Sequence, residues 1–149
     1  MLYKTIIQPH FDYCAPVWSN ASRTLLNPLF ILQKRALKIV MGVDSMYSTQ
    51  ALFADTQVDT LFSHWKKQSL ILIYKMLTPR YLSARIHTRG SQYTLRNISG
   101  KIQLPKPNVN ILKRGFLYSS SKFFNDLPEK IRNTNHLSSF VNFIIQYPC

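Results

Sequence analysis

One stretch of regular apolar spacing, residues 27–42, most constrains how this chain can fold. Apolar residues recur there at intervals of three and four, which predicts one stripe along a helix: Leu29, Leu32, Ala36, Ile39 and Val40. Asn27 followed by Pro28 predicts an N-cap with proline at the first helical position. Gly42 predicts the C-terminal stop. We therefore expect a helix with one side packed in a core, and burial wider than the stripe is suggested by Phe30, Ile31 and Leu37, which lie off it.

Three basic side chains lie away from this predicted stripe. Lys34 and Lys38 fall on the far side of the helix, and Arg35 falls on the flank of the stripe. One interpretation is a basic ridge that contacts a partner. The other is the solvated face of an ordinary core helix, and both remain open on this stretch alone.

The charge balance of the whole chain favours a polyanionic partner. Lys and Arg number 19 against 6 Asp and Glu, which gives a formal net charge of +13 and a pI near 10.1. Residues 60–125 contain no carboxylate. The cations of that segment are spread over several predicted elements with aromatic residues between them, rather than along one amphipathic helix. Nucleic acid is therefore favoured over a membrane.

Length and cysteine content set broader limits. A chain of 149 residues with 46% hydrophobic residues can bury a core as one domain or as a fragment of a larger protein. Cys14 and Cys149 have neither metal-ligand nor redox spacing, so a nuclear or cytoplasmic location is predicted. The apolar runs are too short to span a bilayer, and no membrane partner is expected.

Helical spacing also predicts the elements on both sides of 27–42. Residues 2–13 should form a helix that Pro9 kinks by removing a hydrogen bond. A short helix capped by Ser48 is expected within 44–56. Residues 59–77 should form a second long helix that begins at Asp59 or Thr60. Its predicted outer side carries Lys66, Lys67 and Lys75, and its predicted buried side carries Leu61, Phe62, Trp65, Leu72, Ile73 and Met76.

The helical period fades in residues 80–113. Segments 93–96 and 101–104 alternate apolar and polar residues and could pair as a small β-hairpin. Short helices are predicted at 116–124, from Pro128 to Arg132, and from Ser138 or Ser139 to Ile145. The expected fold is mainly α, a helical bundle with that hairpin and short C-terminal helices. It divides into a helical region, 1–78, and a basic C-terminal region, 79–149.

The first of two informative blocks consists of residues 2–18, LYKTIIQPHFDYCAPVW, and residues 32–42, LQKRALKIVMG. It resembles the segment just after the polymerase palm in the jockey-like reverse transcriptases of non-LTR (LINE-type) retrotransposons. The second block is similar to the C-terminal signature of the same elements. It consists of 104–107, LPKP, of 113–118, KRGFLY, and of 124–132, FNDLPEKIR, with Ser120 in place of a usual Gly and Phe124 in place of a usual Trp.

This resemblance implies the thumb and post-thumb part of an RNA-directed DNA polymerase, whose metal-binding palm would precede Met1. A thumb-like bundle of that kind holds a template-primer duplex. The implied partners are RNA or an RNA/DNA template-primer duplex and the palm of the parent polymerase, with no cofactor and no metal held by this chain. The candidate nucleic-acid-binding residues are Lys34, Arg35, Lys38, Lys66, Lys67, Lys113 and Arg114.

Two other interpretations compete with a nucleic-acid-binding fragment. One is a non-functional relic of a truncated transposable element that keeps its fold. The other is a complete enzyme. The sequence argues against it, because it contains no phosphate loop, no paired carboxylates and no metal cluster. Phe53-Ala54-Asp55-Thr56 is similar to the aromatic-x-Asp-Asp turn of reverse transcriptases, but Thr56 replaces the second Asp. Asp55 is therefore interpreted as structural, and the chain alone is predicted to be inactive.

Overall fold

The computed structural model describes residues 2–78, 101, 102, 104 and 108–146, and within them the chain is mainly α-helical, as predicted. A π-helical turn, Tyr3–Ile7, comes first. The helices that follow are α1 Gln8–Asp12, α2 Ala15–Trp18, α3 Arg23–Met41, α4 Thr49–Thr56, α5 Leu61–Leu77, α6 Asn110–Lys113, α7 Phe116–Asn125, α8 Glu129–Arg132 and α9 Leu137–Gln146.

The chain divides into two compact units, Met1–Trp65 and Lys66–Cys149. The division falls inside α5, whereas composition placed a boundary between residues 78 and 79. Composition changes where the cation-rich, proline-punctuated segment begins. A long helix, by contrast, can contribute apolar residues to two cores along its length.

Helix α3 begins earlier than its sequence pattern predicted. Its N-cap is Ser22 rather than Asn27, and Pro28 lies inside the helix. Pro28 is the sixth residue of α3, beyond the first turn, so its missing N–H removes the hydrogen bond that the carbonyl of Thr24 would otherwise accept. The prediction for the other end is confirmed, since Gly42 adopts the left-handed conformation with φ +67°. The amide of Val43 donates to the carbonyl of Lys38 at 3.1 Å, which completes a Schellman motif.

The buried face of α3 is also rotated from the predicted stripe. Leu26, Gln33 and Leu37 are its buried residues, whereas Leu32 is 49% exposed and Ile39 is 80% exposed. The polar residue explains the error, because Gln33 interrupts the apolar pattern on the side that is buried. A search for apolar spacing therefore selects the neighbouring face, which the structure exposes.

Gln33 is only 1% exposed, and its side-chain carboxamide makes hydrogen bonds with backbone groups at the start of α5. Its Nε2 donates to the carbonyl of Asp59 at 3.0 Å, and its Oε1 accepts from the amide of Leu61 at 2.8 Å. The amides of a first helical turn have no partner inside the helix, so this side chain satisfies one of them at the start of α5. Gln33 thereby fixes α3 against the beginning of α5.

The N-terminal segment, predicted as one helix with a kink at Pro9, changes its helical winding just before that residue. Before Pro9 the chain forms the π-helical turn, in which the amide of Gln8 donates to the carbonyl of Tyr3, and α1 follows. Because proline has no N–H, the preceding turn widens where a hydrogen bond is missing. Tyr3 is brought into the core by this turn.

Two apolar clusters form the core of the first unit. Tyr3, Leu37, Leu52 and Val58 make up one of them. The other contains Ala15, Leu26, Leu61 and Trp65, together with half-buried side chains such as Trp18. The rings of Trp18 and Trp65 meet edge to face with centroids 4.6 Å apart. Their contact holds the short helix α2 against α5.

The core of the second unit is built by α5, α7 and α9. Tyr74 stacks on Phe140 with ring centroids 4.2 Å apart, and Phe124 lies 6.2 Å from Phe140. The hydroxyl of Tyr74 donates to the carbonyl of Thr134 at 2.6 Å, so the polar end of the buried ring is satisfied.

The predicted β-hairpin falls largely outside the described residues, since 93–96 and residue 103 are not among them. Ile102 is buried, and the side-chain amide of Asn125 pairs with its backbone. Asn125 Oδ1 accepts from the Ile102 amide at 2.8 Å, and Asn125 Nδ2 donates to the Ile102 carbonyl at 3.0 Å. The Asn125 side chain therefore attaches Ile102 to α7 through the same pair of hydrogen bonds that a neighbouring β-strand would make with its backbone.

The other helix starts agree with the predictions in part. Ser48 occupies the N-cap position of α4, but its side chain makes no capping hydrogen bond. Thr60 is the residue that caps α5, with its Oγ1 3.4 Å from the amide of Ser63. Helix α6 was not predicted, because four residues are too few to show a period. Helix α9 begins at Leu137, just before the predicted serine caps.

Candidate nucleic-acid interface

The three predicted basic residues of α3 lie together on one arc of about 100°, since successive helical residues are about 100° apart. No carboxylate occurs in α3. Arg35 is exposed, and its side chain makes no hydrogen bond or ion pair with a described residue. This arc therefore presents positive charge that no acidic side chain of the same helix neutralises.

Lys34 and Lys38 are half-buried, and each makes a contact inside the first unit. The ammonium of Lys34 lies 5.0 Å from the centroid of the Phe30 ring, where a cation is attracted to the face of the ring. The ammonium of Lys38 donates to the carbonyl of Ser45, which attaches the end of α3 to the loop that follows it. Because α3 is rotated from the predicted phase, these two lysines border the buried side and Arg35 points farthest out.

The predicted lysines of α5 lie in the second unit, and one of them is not on the surface. Lys66 is half-buried with its ammonium 5.0 Å from the centroid of the Phe123 ring. Lys67 is only 9% exposed, and its ammonium donates to the carbonyl of Ile145 at 3.0 Å. Lys75 is exposed, as predicted.

The predicted outward position of Lys67 is therefore wrong, for a physical reason. The last carbonyls of a helix have no partner inside it and carry partial negative charge, and Ile145 is in the last turn of α9. An ammonium group can be buried when a carbonyl of this kind accepts a hydrogen bond from it. Lys67 stabilises the end of α9, and its charge is not available at the surface.

Lys113 and Arg114 are exposed at the end of α6, in the second unit. Their side chains make no hydrogen bond or ion pair with a described residue, and they follow two exposed apolar residues, Ile111 and Leu112. Gly115 separates this corner from α7, for which it is the N-cap. The two cations therefore stand exposed between two helices, where their long side chains can reach a partner.

Asp55 occupies the position that was compared with a polymerase metal turn, and it lies in α4 rather than in a turn. Its Oδ2 accepts a hydrogen bond from the hydroxyl of Tyr47 at 2.5 Å, which together with the charge of Asp55 raises the pKa of Tyr47. Within the described residues, no three His, Cys, Asp or Glu side chains are grouped so that they could hold a metal ion. The contact to Tyr47 agrees with the structural role predicted for Asp55.

A cavity of about 200 Å³ in the first unit was not anticipated. Tyr3, Gln8, Gln33 and His64 are among the side chains that line it. These residues come from the π-helical turn, α1, α3 and α5, and only the packing of those elements brings them together. No spacing in the sequence could have revealed them, because each is a single polar residue in a separate helical pattern.

Comparisons with family models, with curated proteins and with solved structures find no significant match to this chain. Among the residues that the structure describes, no helix has both the length and the apolar content needed to cross a membrane.

Proposed function

We propose that this chain binds RNA or an RNA/DNA hybrid through the sugar-phosphate backbone, as the thumb and post-thumb part of a LINE-type reverse transcriptase. The observation that carries the proposal is the arc of Lys34, Arg35 and Lys38 on a helix without carboxylates, in a chain with a net charge of +13. Backbone phosphates attract such an arc whatever the base sequence, because lysine and arginine displace the counterions condensed on them.

The roles of the candidate residues follow from their surroundings. Arg35, Lys113 and Arg114 have exposed side chains and would contact phosphates directly, Arg by two parallel hydrogen bonds. Lys34 and Lys66 would add charge while their ammonium groups remain over aromatic rings. Lys67 is left out of the proposal, because its ammonium is buried against the end of α9.

The resemblance also implies a protein partner, the palm of the parent polymerase. Helix α3 exposes Leu25, Leu32 and Ile39 on one side, and exposed apolar side chains in a row are typical of a protein contact. The chain by itself holds no catalytic residue in this proposal. Polymerisation would belong to the palm, and this part would hold the duplex.

Binding that tolerates changes of sequence is the expected result for this function. A labelled RNA/DNA hybrid and a second hybrid of scrambled sequence but equal length should have dissociation constants within a few-fold of each other, measured by fluorescence anisotropy. Phosphate contacts position a protein without reading bases, which is why the two affinities should agree.

A pronounced preference for one of the two sequences would contradict backbone recognition. If neither hybrid binds at low salt while circular dichroism shows the helical fold, the alternative of a non-functional relic is supported instead.

A further inference from the structure

Helix α3 carries a row of exposed apolar side chains that its own unit leaves uncovered. Leu25 is 70% exposed, and the exposed Leu32 and Ile39 follow it on the same side of the helix. The three residues are seven apart, so each is rotated by about 20° from the one before, and the row is about 21 Å long. Contiguous exposed apolar surface of this kind marks a site of interaction.

The spacing of this row selects a helix as the partner. Apolar side chains seven apart form a seam, which a second helix covers when it crosses at about 20°. Ala36 is half-buried beside Leu32, and its small side chain leaves a hole for a side chain of that second helix. A sugar-phosphate backbone would leave the row uncovered, because it is charged along its whole length.

Arg35 lies next to this row and determines the charge of the partner. It comes three residues after Leu32 and four before Ile39, so its side chain is a neighbour of both on the helix surface. Its guanidinium is exposed and makes no hydrogen bond or ion pair with a described residue. A helix that covers the row would bury part of this charge, which costs free energy unless a carboxylate of the partner pairs with it.

The net charge of the chain argues against a second copy as the occupant of the row. Two copies would bring together two net charges of +13, and α3 has no carboxylate that the Arg35 of the other copy would meet. An acidic partner is instead attracted by the whole chain and is paired locally by Arg35.

We propose that the row of Leu25, Leu32 and Ile39 docks an amphipathic helix of a partner protein, whose apolar side chains cover the row and whose Asp or Glu pairs with Arg35. The inference deepens the proposed function, because it gives the chemistry of the protein partner on α3. It rests on that function in one respect, since Arg35 is also assigned to a phosphate there. A docked helix covers Arg35, so the helix and nucleic acid compete for it.

The test uses synthetic helical peptides of three heptads in which Leu and Glu alternate at spacings of three and four. In one peptide Glu follows Leu by three residues, which suits parallel docking, and in the other by four, which suits antiparallel docking. Affinity is measured by fluorescence anisotropy at about 150 mM salt, where distant exposed charges are largely screened. The parent should bind at least one of the two peptides.

Two variants separate the apolar contact from the ion pair. The double variant Leu25→Gln/Ile39→Gln should bind the peptide at least about tenfold more weakly, because two apolar contacts are lost. Arg35→Gln should weaken binding at least about tenfold as well, since it leaves the carboxylate of the peptide without its partner. Arg35→Glu should bind a peptide with Lys in place of Glu more tightly than the parent does.

Val17→Gln is the matched control, because it removes an exposed apolar side chain from α2 in the same unit, and it should keep the affinity of the parent. Tryptophan fluorescence should show that every variant is folded. Equal affinity of the parent and the double variant would overturn the proposal, because binding would then come from charge alone. A parent that binds neither peptide overturns it too.

Sedimentation analysis tests the competing occupant of the row. A dimer of the parent that the double variant loses would contradict the proposal, because a second copy would then cover the row.

An RNA/DNA hybrid added as a competitor separates this inference from the proposed function. Peptide binding without hybrid binding would support the docking surface and contradict the proposed function, whereas the reverse result would overturn only the docking surface. If both bind, excess hybrid should displace the peptide from the parent. Simultaneous binding of peptide and hybrid would overturn the shared use of Arg35.

Discussion

Raising the salt concentration from about 50 to about 200 mM is expected to weaken binding of an RNA/DNA hybrid by about 40-fold for three phosphate contacts and about 500-fold for five. The exposed guanidinium groups of Arg35 and Arg114 and the ammonium of Lys113 are the first three candidate contacts. Each contact releases condensed counterions, and added salt opposes that release. The dissociation constant should be measured by anisotropy at four or more salt concentrations and plotted logarithmically.

A probe with the same bases on an uncharged backbone is the control for this effect. It should bind weakly at all salt concentrations, because it has no counterions to release. An affinity for the natural hybrid that stays flat across the titration would show that phosphates are not the main source of binding.

Replacing Leu37 by Ala is expected to destabilise the first unit by about 2–5 kcal/mol. Leu37 is fully buried beside Tyr3, Leu52 and Val58, so the truncation leaves a cavity in that cluster. Both tryptophans of the chain, Trp18 and Trp65, lie in this unit. Tryptophan fluorescence during urea denaturation therefore reports its unfolding specifically.

Ile39→Ala is the matched control on the same helix. Ile39 is mostly exposed, so its truncation should change stability by no more than about 0.5 kcal/mol. The two variants decide the phase of α3, because the apolar stripe in the sequence placed Ile39 in the core. A larger loss of stability for Ile39→Ala than for Leu37→Ala would restore that stripe and contradict the structure.

The sequence predicted the helices well where local chemistry sets them. Gly42 ends α3 because a left-handed residue is required there, and Pro9 interrupts the first helix because it has no N–H to donate. Pro128 likewise precedes α8, as predicted. These effects act within one or two turns, so the residues that cause them are visible in the sequence.

The sequence failed where contacts between distant segments decide the outcome. Gln33 is buried because Asp59 and Leu61 present a carbonyl and an amide to it, and Lys67 is buried because Ile145 offers a carbonyl at the end of α9. Gln and Lys are mostly exposed in folded proteins, so a sequence pattern assigns them to the surface. The backbone groups that allow these two side chains to be buried are brought near them only by the fold. The phase of α3 and the outward position of Lys67 were therefore misassigned.

For the candidate interface, the sequence indicates which cations are present but not what surrounds each of them. Positive charge along α3 and at Lys113 and Arg114 follows from composition and helical spacing alone, and these side chains do reach the surface to different degrees. The difference between the exposed Arg35 and the half-buried Lys34 depends on the ring of Phe30, whose position the spacing could not give.

Nucleic-acid binding by α3 is tested most directly by the salt dependence of a variant in which Lys34, Arg35 and Lys38 are all replaced by Gln. The matched control replaces Lys75, Lys122 and Lys130 by Gln, which removes the same charge from exposed residues of the second unit. Tryptophan fluorescence should first show that the α3 variant is folded, since it also loses the contact of Lys38 with Ser45.

The slope of the logarithm of affinity against the logarithm of salt concentration is the quantity to compare. For the α3 variant we expect weaker binding and a slope smaller by between about one unit, if Arg35 alone contacts a phosphate, and about three units, if all three residues do. The control should change the slope less. A folded α3 variant with the affinity and the slope of the parent would contradict the proposed interface and identify this arc as ordinary solvated surface.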